Sequence, residues 1–103
     1  MEGQAQISTE VLARYAGDAA REVSGVAGLA ESALQRDRAI EISSSGDSTA
    51  VTIHLELEWG SAAEDVARKV QTRVAQYLER MANLTIESVD VVIDGVSAPP
   101  AKQ

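Results

Sequence analysis

The stretch VTIHLELEW, residues 51–59, decides the fold of this chain. Its apolar residues alternate strictly with polar ones, so an extended strand has one apolar face and one polar face. Such a strand belongs in a sheet that other elements cover on one face only. Gly60 follows the tryptophan and is the expected end of the strand.

A helix is predicted directly after this strand. Residues 61–64, SAAE, have the spacing of a capping box, in which Ser61 and Glu64 satisfy each other's backbone amides. Apolar residues then recur every three or four positions as far as Met81, and Asn83 is the expected terminator. The opposite side of this helix carries acids four residues before bases, a spacing that supports a helix.

A second amphipathic helix is predicted over residues 9–24, near the start of the chain. Ser8 or Thr9 is placed to cap it, and Gly25 is a natural stop because glycine accepts the left-handed conformation of helix ends. Residues 26–38 are then expected to be a connector with room for a helical turn.

Two further alternating runs complete the predicted sheet. Residues 40–43 form a short strand that pairs with residues 51–59 as a hairpin, across the turn-forming sequence SSGDS at residues 44–48. Residues 88–94 form a third strand that ends at Gly95. A right-handed crossover sets the third strand parallel to the second, either beside it or on the far side of the first.

The order of elements is therefore α-β-β-α-β. The predicted fold class is α+β, with two helices packed on one face of a three-stranded mixed sheet and the other face left polar. Residues 1–96 form the single domain, and residues 97–103, which contain Pro99 and Pro100, form a flexible tail.

Composition limits the possible partners. The net charge of −7 opposes binding to nucleic acid and to anionic lipid. The absence of cysteine removes disulfides, thiolate metal sites and cysteine nucleophiles, and is compatible with a reducing cytoplasm. Residues 1–6 do not resemble a signal peptide, and no apolar run reaches the roughly 18 residues of a membrane span. We therefore expect no direct membrane insertion.

Four acids are expected to lie on the polar sheet face: Glu56, Glu58, Asp90 and Asp94. One interpretation is a solvated surface that keeps the protein soluble. The alternative is a docking face for a cationic segment of a partner protein, since close, unpaired acids repel each other. Calcium is a weaker option because strand carboxylates lack a dedicated binding loop.

Two single residues complete the candidate site. His54, the only histidine, is either a solvated strand residue or a titrating sensor or single ligand. Trp59, the only tryptophan, is either a core anchor or an interface anchor. No nucleophile elbow, phosphate loop or zinc motif is present, so no cofactor, metal or enzymatic activity is predicted.

Two other patterns have simpler explanations. The sequence GVAG at residues 25–28 has the form of a nucleotide-clamping GxxG loop, but it lacks basic neighbours, and helix termination is the favoured role. The second helix carries a basic strip, which interleaved acids make more typical of a salt-bridged surface than of an anion site. The strip contains Arg68, Lys69, Arg73 and Arg80.

Several blocks of the sequence resemble the alkaline-shock-protein family, small bacterial proteins associated with cell-envelope stress. They are residues 7–28, a helix ending in VSGVAG; residues 51–60, VTIHLELEWG; residues 65–71, DVARKVQ, with Val74; and residues 81–96. Together they cover a little over half of the chain.

The resemblance implies a cytoplasmic, non-enzymatic interaction protein of the envelope-stress class. It implies assembly with copies of itself and retention near the membrane by a membrane-anchored partner protein. The alternative is a regulatory subunit that binds and modulates a cytoplasmic biosynthetic enzyme.

Overall fold

The computed structural model describes residues 7–30 and 39–98. Within these ranges the elements are α1 (Thr9–Arg21), β1 (Val26–Leu29), β2 (Ile40–Ser45), β3 (Ser48–Leu57), α2 (Ala63–Ala82) and β4 (Thr85–Val96). The predicted α+β class is confirmed, with one strand more than the three that were predicted.

β3 is the central strand of the sheet. β1 and β2 pair with it in antiparallel orientation, and β4 runs parallel to it from Thr85 opposite Ser48 to Val96 opposite Leu57. Of the two positions left open for the last strand, the structure has the one directly beside β3. There β4 pairs with β3, which has 10 residues, whereas in the other position it would pair with β2, which has only 6.

β1 and β2 lie one after the other along the same edge of β3. The N–H of Ala30 donates to the C=O of His54 at 2.9 Å, and the N–H of His54 donates to the C=O of Ala39 at 2.7 Å. The chain therefore leaves this edge after Ala30 and rejoins it at Ala39. The connector predicted over residues 26–38 is wrong at residues 26–29, which form a strand, and the helical turn predicted within it falls partly on residues 31–38, outside the described residues.

α1 begins where it was predicted and ends earlier. The Oγ of Ser8 accepts a hydrogen bond from the N–H of Val11 at 3.2 Å, as an N-cap requires. The helix ends at Arg21, so Gly25, with φ of 98°, lies in the turn before β1 and not at the helix end. The predicted helix-stop role of residues 25–28 is wrong, and Gly28 lies inside a strand, where a loop that clamps nucleotides cannot form.

α2 confirms the predicted end but not the predicted start. Asn83 ends the helix in the left-handed conformation, with φ of 54°. The predicted capping box is wrong, because the N-cap is Ala62 and it makes no side-chain hydrogen bond. The hydroxyl of Ser61 instead donates to the C=O of Gly25 at 3.5 Å, which ties the start of α2 to the start of β1.

The core lies between the two helices and one face of the sheet. Alternate residues of β3 contribute one side of the core, and four residues of α2 spaced four apart belong to the same cluster. These side chains are all buried: Val51, Ile53, Leu55 and Leu57 in β3, and Val66, Val70, Val74 and Leu78 in α2. The prediction that both helices cover one sheet face is confirmed.

β4 is longer than predicted and carries two irregularities. It starts at Thr85 rather than at residue 88, and its register against β3 shifts between Thr49 and Ala50 and again between Leu55 and Glu56. Ser97 stays attached after the strand, because its N–H donates to the C=O of Leu57 at 2.7 Å. The flexible tail predicted from residue 97 remains a prediction, since residues 99–103 lie outside the described residues.

Candidate interaction surface

The sheet face opposite the helices carries the candidate site, and we call it the open face. The register of the strands determines which residues lie on the open face, because residues opposite one another on neighbouring strands point their side chains to the same side of the sheet. The open face contains Glu41 and Ser43 from β2, Ala50, Thr52, His54 and Glu56 from β3, and Ser88, Asp90, Val92 and Asp94 from β4. None of these ten residues is fully buried.

The open face is acidic. It holds four carboxylates, Glu41, Glu56, Asp90 and Asp94, and a single imidazole, that of His54. Glu41 and Asp90 both lie opposite Thr52, one on each side of β3, so the charge spreads across the full width of the sheet. Carboxylates arranged in this way favour a ligand or partner of positive charge.

The structure brings three of the four predicted acids together. Glu56, Asp90 and Asp94 lie on the open face, whereas Glu58 follows the last residue of β3 in the link to α2. Glu58 remains attached to the sheet, since its N–H donates to the C=O of Gly25 at 2.8 Å. Its exposed side chain therefore sits at the rim of the open face and not within it.

The imidazole of His54 lies within hydrogen-bond distance of the carboxylate of Asp94 on the open face. The Nδ1 of His54 lies 3.1 Å from Oδ2 and 3.3 Å from Oδ1 of Asp94. The contact lies at the second register shift of β4: Ile93 lies opposite Leu55 and Gly95 opposite Glu56, which makes Asp94 the extra residue of a bulge. Bulges are common where a strand redirects a side chain.

This pair alone does not make a metal centre. Within residues 7–30 and 39–98, no three or more histidine, cysteine, aspartate or glutamate side chains come close enough to hold a metal ion. The side chains of His54 and Asp94 are 24% and 30% exposed, so the pair is partly solvated. Sequence analysis placed both residues on one face, but the bulge at Asp94 had no recognisable signal in the sequence.

Trp59 lies outside the core. Its side chain is 61% exposed, because β3 ends at Leu57 and Trp59 belongs to the turn before α2. Its backbone N–H donates to the Oγ of Ser97 at 3.3 Å, which fixes the turn against the end of β4. The core-anchor interpretation is therefore wrong, and an interface role for this residue remains a prediction.

Replacing Trp59 by alanine should leave the fold almost unchanged and weaken partner binding. An exposed side chain contributes little to the core, so we expect the free energy of unfolding to change by less than about 1 kcal/mol. Thermal unfolding followed by far-UV circular dichroism measures this change, and Val96→Ala at another exposed apolar position is the control. In the unchanged chain, partner binding should shift the emission of Trp59 to shorter wavelength. Unshifted emission on binding would place Trp59 outside the interface.

The basic strip of α2 lies on the helical side of the domain, and two of its four cations are in salt bridges. Arg68 contacts Asp65 at 3.3 Å, three residues earlier in the helix, and Arg73 forms an ion pair with Glu22 at the end of α1. A shallow cleft of about 440 Å³ between the two helices is lined by both ion-pair partners Glu22 and Arg73 together with Lys69. Mixed charge of this kind fits a salt-bridged surface better than an anion site.

Within the described part of the chain, neither α1 nor α2 has the length and apolar character needed to cross a membrane. The fold and the open face together define a small α+β domain with a half-covered sheet and an acidic surface.

Comparison with known families assigns this domain. A family model described as the ASP23 family, with a cell envelope-related function, matches residues 1–98. The chain therefore belongs to this family, the alkaline shock protein family whose resemblance the sequence indicated, and the association with the cell envelope is a property of the family.

Two curated relatives are similar over nearly the whole chain. The uncharacterized protein YloU of Bacillus subtilis is 27% identical, covering 91% of this chain and 88% of its own length. The uncharacterized protein Spy1614 of Streptococcus pyogenes is 23% identical, covering 92% and 88%. Neither name specifies an activity or a partner.

Solved structures show that the fold recurs elsewhere. The copper form of the MamM CTD matches with a TM-score of 0.66 and 18% identity, covering 91% of this chain and 92% of that chain. A zinc form of the same domain matches with a TM-score of 0.65 and 17% identity over the same shares. At this level of identity the match establishes a shared fold only.

Proposed function

We propose that this protein is a non-enzymatic interaction protein of the cell envelope, whose open face docks a cationic segment of a membrane-anchored protein partner. The family's envelope-related function supports the setting. The docking surface and the partner's charge are inferred from this chain's own residues. The proposal also includes a cytoplasmic location for the domain and its assembly with copies of itself.

The observation that carries the proposal is the set of four carboxylates on an uncovered sheet face. Within the described residues, Asp94 is the only one of the four with a side-chain partner on this face, namely the imidazole of His54. The other three, Glu41, Glu56 and Asp90, are left to solvent or to a partner. A cationic segment would relieve their mutual repulsion, and the long-range field would also speed its association.

A binding role is favoured over catalysis by the setting of His54. A general base works best in a pocket that excludes water, close to a nucleophile or substrate. His54 instead lies in the middle of a flat sheet face with a carboxylate as its contact. The geometry is that of a partly solvated polar contact on the sheet surface.

Reversing the charge of Glu56 and Glu58 together should weaken recovery of the partner. Each Glu→Lys change adds two positive charges, so the double variant moves the net charge from −7 by +4 to −3. We expect recovery in a crosslinked pull-down from the native cell to fall by about tenfold, since like charges at an interface cost several kcal/mol.

The matched control is Glu64→Lys with Glu79→Lys. Both residues are exposed on α2, away from the open face, and the change in net charge is the same. Equal recovery by the two double variants would contradict docking on the open face. Recovery of soluble biosynthetic enzymes instead of membrane proteins would contradict the envelope partner and favour a regulatory subunit.

Self-association is tested separately by sedimentation equilibrium of the purified chain. A mass above that of one 10.9 kDa chain supports it, and a monomer at all concentrations contradicts it.

A further inference from the structure

The outer edge of β4 exposes backbone groups whose orientation follows from the hydrogen bonds of β3. His54 directs both its N–H and its C=O toward the edge that β1 and β2 share, through Ala30 and Ala39. Because neighbouring residues of a strand point their backbone groups in opposite directions, the odd-numbered residues of β3 face β4. The bond from the N–H of Ser97 to the C=O of Leu57 agrees with this assignment.

The partners of these residues must point away from the sheet. In a parallel pair, a residue that faces its neighbour bonds to the two residues flanking its partner, and the partner itself faces outward. Val51, Ile53 and Leu55 lie opposite the three residues Val89, Val91 and Ile93, which we call the edge triplet. Among the described strands, none pairs with this edge.

One contact confirms the outward direction of the edge triplet. The side-chain amide of Gln71, on α2, donates to the C=O of Val89 at 3.0 Å. A carbonyl already bonded within the sheet would have less need of this donor, so Gln71 covers the first acceptor of a free edge. The N–H and C=O groups of Val91 and Ile93 remain, together with the N–H of Val89.

The two register shifts limit the length of this free edge. They fall between Ile86 and Ser88 and between Ile93 and Gly95 on β4. Bulges twist a strand and interrupt further pairing, and they are a common protection of sheet edges. The regular part of β4 between them is residues 89–93, in which Gln71 covers the C=O of Val89, and it is long enough for a short added strand.

The side chains of this stretch indicate what kind of strand fits. Asp90 lies on the open face, Val92 beside it is 38% exposed, and Asp94 follows at the bulge. On the helix side, the edge triplet presents apolar side chains that are buried or partly buried at the border of the core. A strand with cationic residues on one side and apolar residues on the other would match both sides.

A second copy of this chain fits the edge poorly. Antiparallel pairing of two β4 strands would bring Asp90 and Asp94 of each copy into one small region, and like charges close together across strands are destabilising. Each copy also has a net charge of −7.

We propose that an extended partner segment with alternating basic and apolar residues adds to β4 as a further strand, pairing with residues 89–93. This inference rests on the proposed function, because it specifies how the cationic segment is held. Main-chain hydrogen bonds to the edge triplet supply affinity, and the alternation of side chains supplies specificity. The basic residues lie beside Asp90 and Asp94, and the apolar residues extend the border of the core.

Amide hydrogen exchange measured by NMR tests strand addition directly. The probe is a seven-residue peptide in which lysine and valine alternate, added at saturating concentration to the full chain. Exchange at the three edge-triplet amides should slow by about tenfold or more, because each gains an acceptor on the peptide. The amides of Asp90 and Val92, which already face β3, should change by less than about twofold. A peptide of the same composition, with its lysines and valines in separate blocks, is the control and should not protect the triplet.

A pair of charge variants tests whether the peptide adds along residues 89–93 of β4. Val92→Lys adds a cation within residues 89–93, and Val96→Lys adds the same charge at an exposed valine of β4 beyond the second bulge. We expect Val92→Lys to weaken binding of the alternating peptide by about tenfold and Val96→Lys by less than about threefold. Equal weakening would overturn the assignment to this stretch.

The outcomes separate this inference from the proposed function. Binding of the peptide without protection of the edge triplet would overturn strand addition, while the pull-down with the Glu56 and Glu58 variant still decides docking on the open face. Failure of the alternating peptide to bind would also overturn strand addition. Protection of the triplet that grows with protein concentration in the absence of peptide would show that a second copy occupies the edge.

Discussion

Replacing Leu78 by alanine should lower the free energy of unfolding by about 3 kcal/mol. The Leu78 side chain is fully buried in the core between the helices and the sheet, and truncation removes apolar contacts and leaves a cavity that close-packed neighbours fill only in part. For a domain of this size, the melting temperature should fall by roughly 15 °C. Urea unfolding followed by far-UV circular dichroism measures the loss, since the only tryptophan is already exposed and is a poor reporter of unfolding.

The matched control is Met81→Ala, one turn further along α2. Met81 is similar in size but 47% exposed, so its truncation should cost less than about 1 kcal/mol. The difference between the two variants measures burial, because both place alanine in the same helix. A similar cost at the two positions would contradict the way in which α2 is packed on the sheet.

Replacing Gly25 by alanine should lower the free energy of unfolding by about 2 to 4 kcal/mol, from two separate causes. The φ of Gly25 is 98°, a conformation that residues with a Cβ rarely adopt. An added Cβ would also lie 2.6 Å from Cγ2 of Val66 and 3.1 Å from Oγ of Ser61, so α2 would have to shift. Chemical denaturation of the variant and the unchanged chain gives the difference.

Gly28→Ala is the control for this change, since Gly28 lies three residues away in β1 and a Cβ there meets nothing within 4 Å. Combining Gly25→Ala with Val66→Ala separates the two causes, because it relieves the steric contact and leaves the strained φ. The double variant should lose less than the sum of the single variants, by about 1 kcal/mol. Strict additivity would mean that backbone conformation alone accounts for the effect.

Gly25 matters beyond stability because it supports the rim of the proposed docking surface. Its C=O accepts hydrogen bonds from the N–H of Glu58 and from the hydroxyl of Ser61. A shift at Gly25 would therefore displace the turn that carries both Glu58 and Trp59. We expect binding studies on this variant to mix folding with recognition, and the surface variants described above avoid that problem.

The open face and the β4 edge form one continuous region of the surface. Asp90 belongs to both and Asp94 directly follows the edge stretch, because β4 is the border strand of the sheet and its polar side chains point to the open face. A partner segment that pairs with the edge would place its basic residues next to the carboxylates of the face. The two proposals are therefore physically compatible, although their tests fail independently.

The outer edge that β1 and β2 form is a poorer site for strand addition. β1 has 4 residues and β2 has 6, and the chain departs from the edge between Ala30 and Ala39. Short and interrupted edges are a common protection against unwanted pairing. On β4 the stretch 89–93 between the two register shifts is regular, and the chain does not leave the sheet within it, so it is the more accessible template.

The sequence by itself determined which side of each main element faces the core. The alternation in residues 51–59 and the three-to-four spacing in α2 depend only on the periods of a strand and a helix, so they predicted the buried rows, the uncovered face and the grouping of Glu56, Asp90 and Asp94. The end of α2 at Asn83 is equally local, since the left-handed conformation suits this residue type.

Only the tertiary structure decided how distant parts meet. Residues 26–29 are too few to show a strand pattern, and they form a strand because they pair with the backbone of β3. The hydroxyl of Ser61 donates to the C=O of Gly25 and does not cap α2 as the sequence predicted. The bulge at Asp94, the exposure of Trp59 and the free edge of β4 likewise depend on register between strands far apart in the chain. The period of apolar residues in the sequence indicates the face on which a residue lies. Backbone hydrogen bonding between strands that are distant in the sequence determines which residues lie next to it.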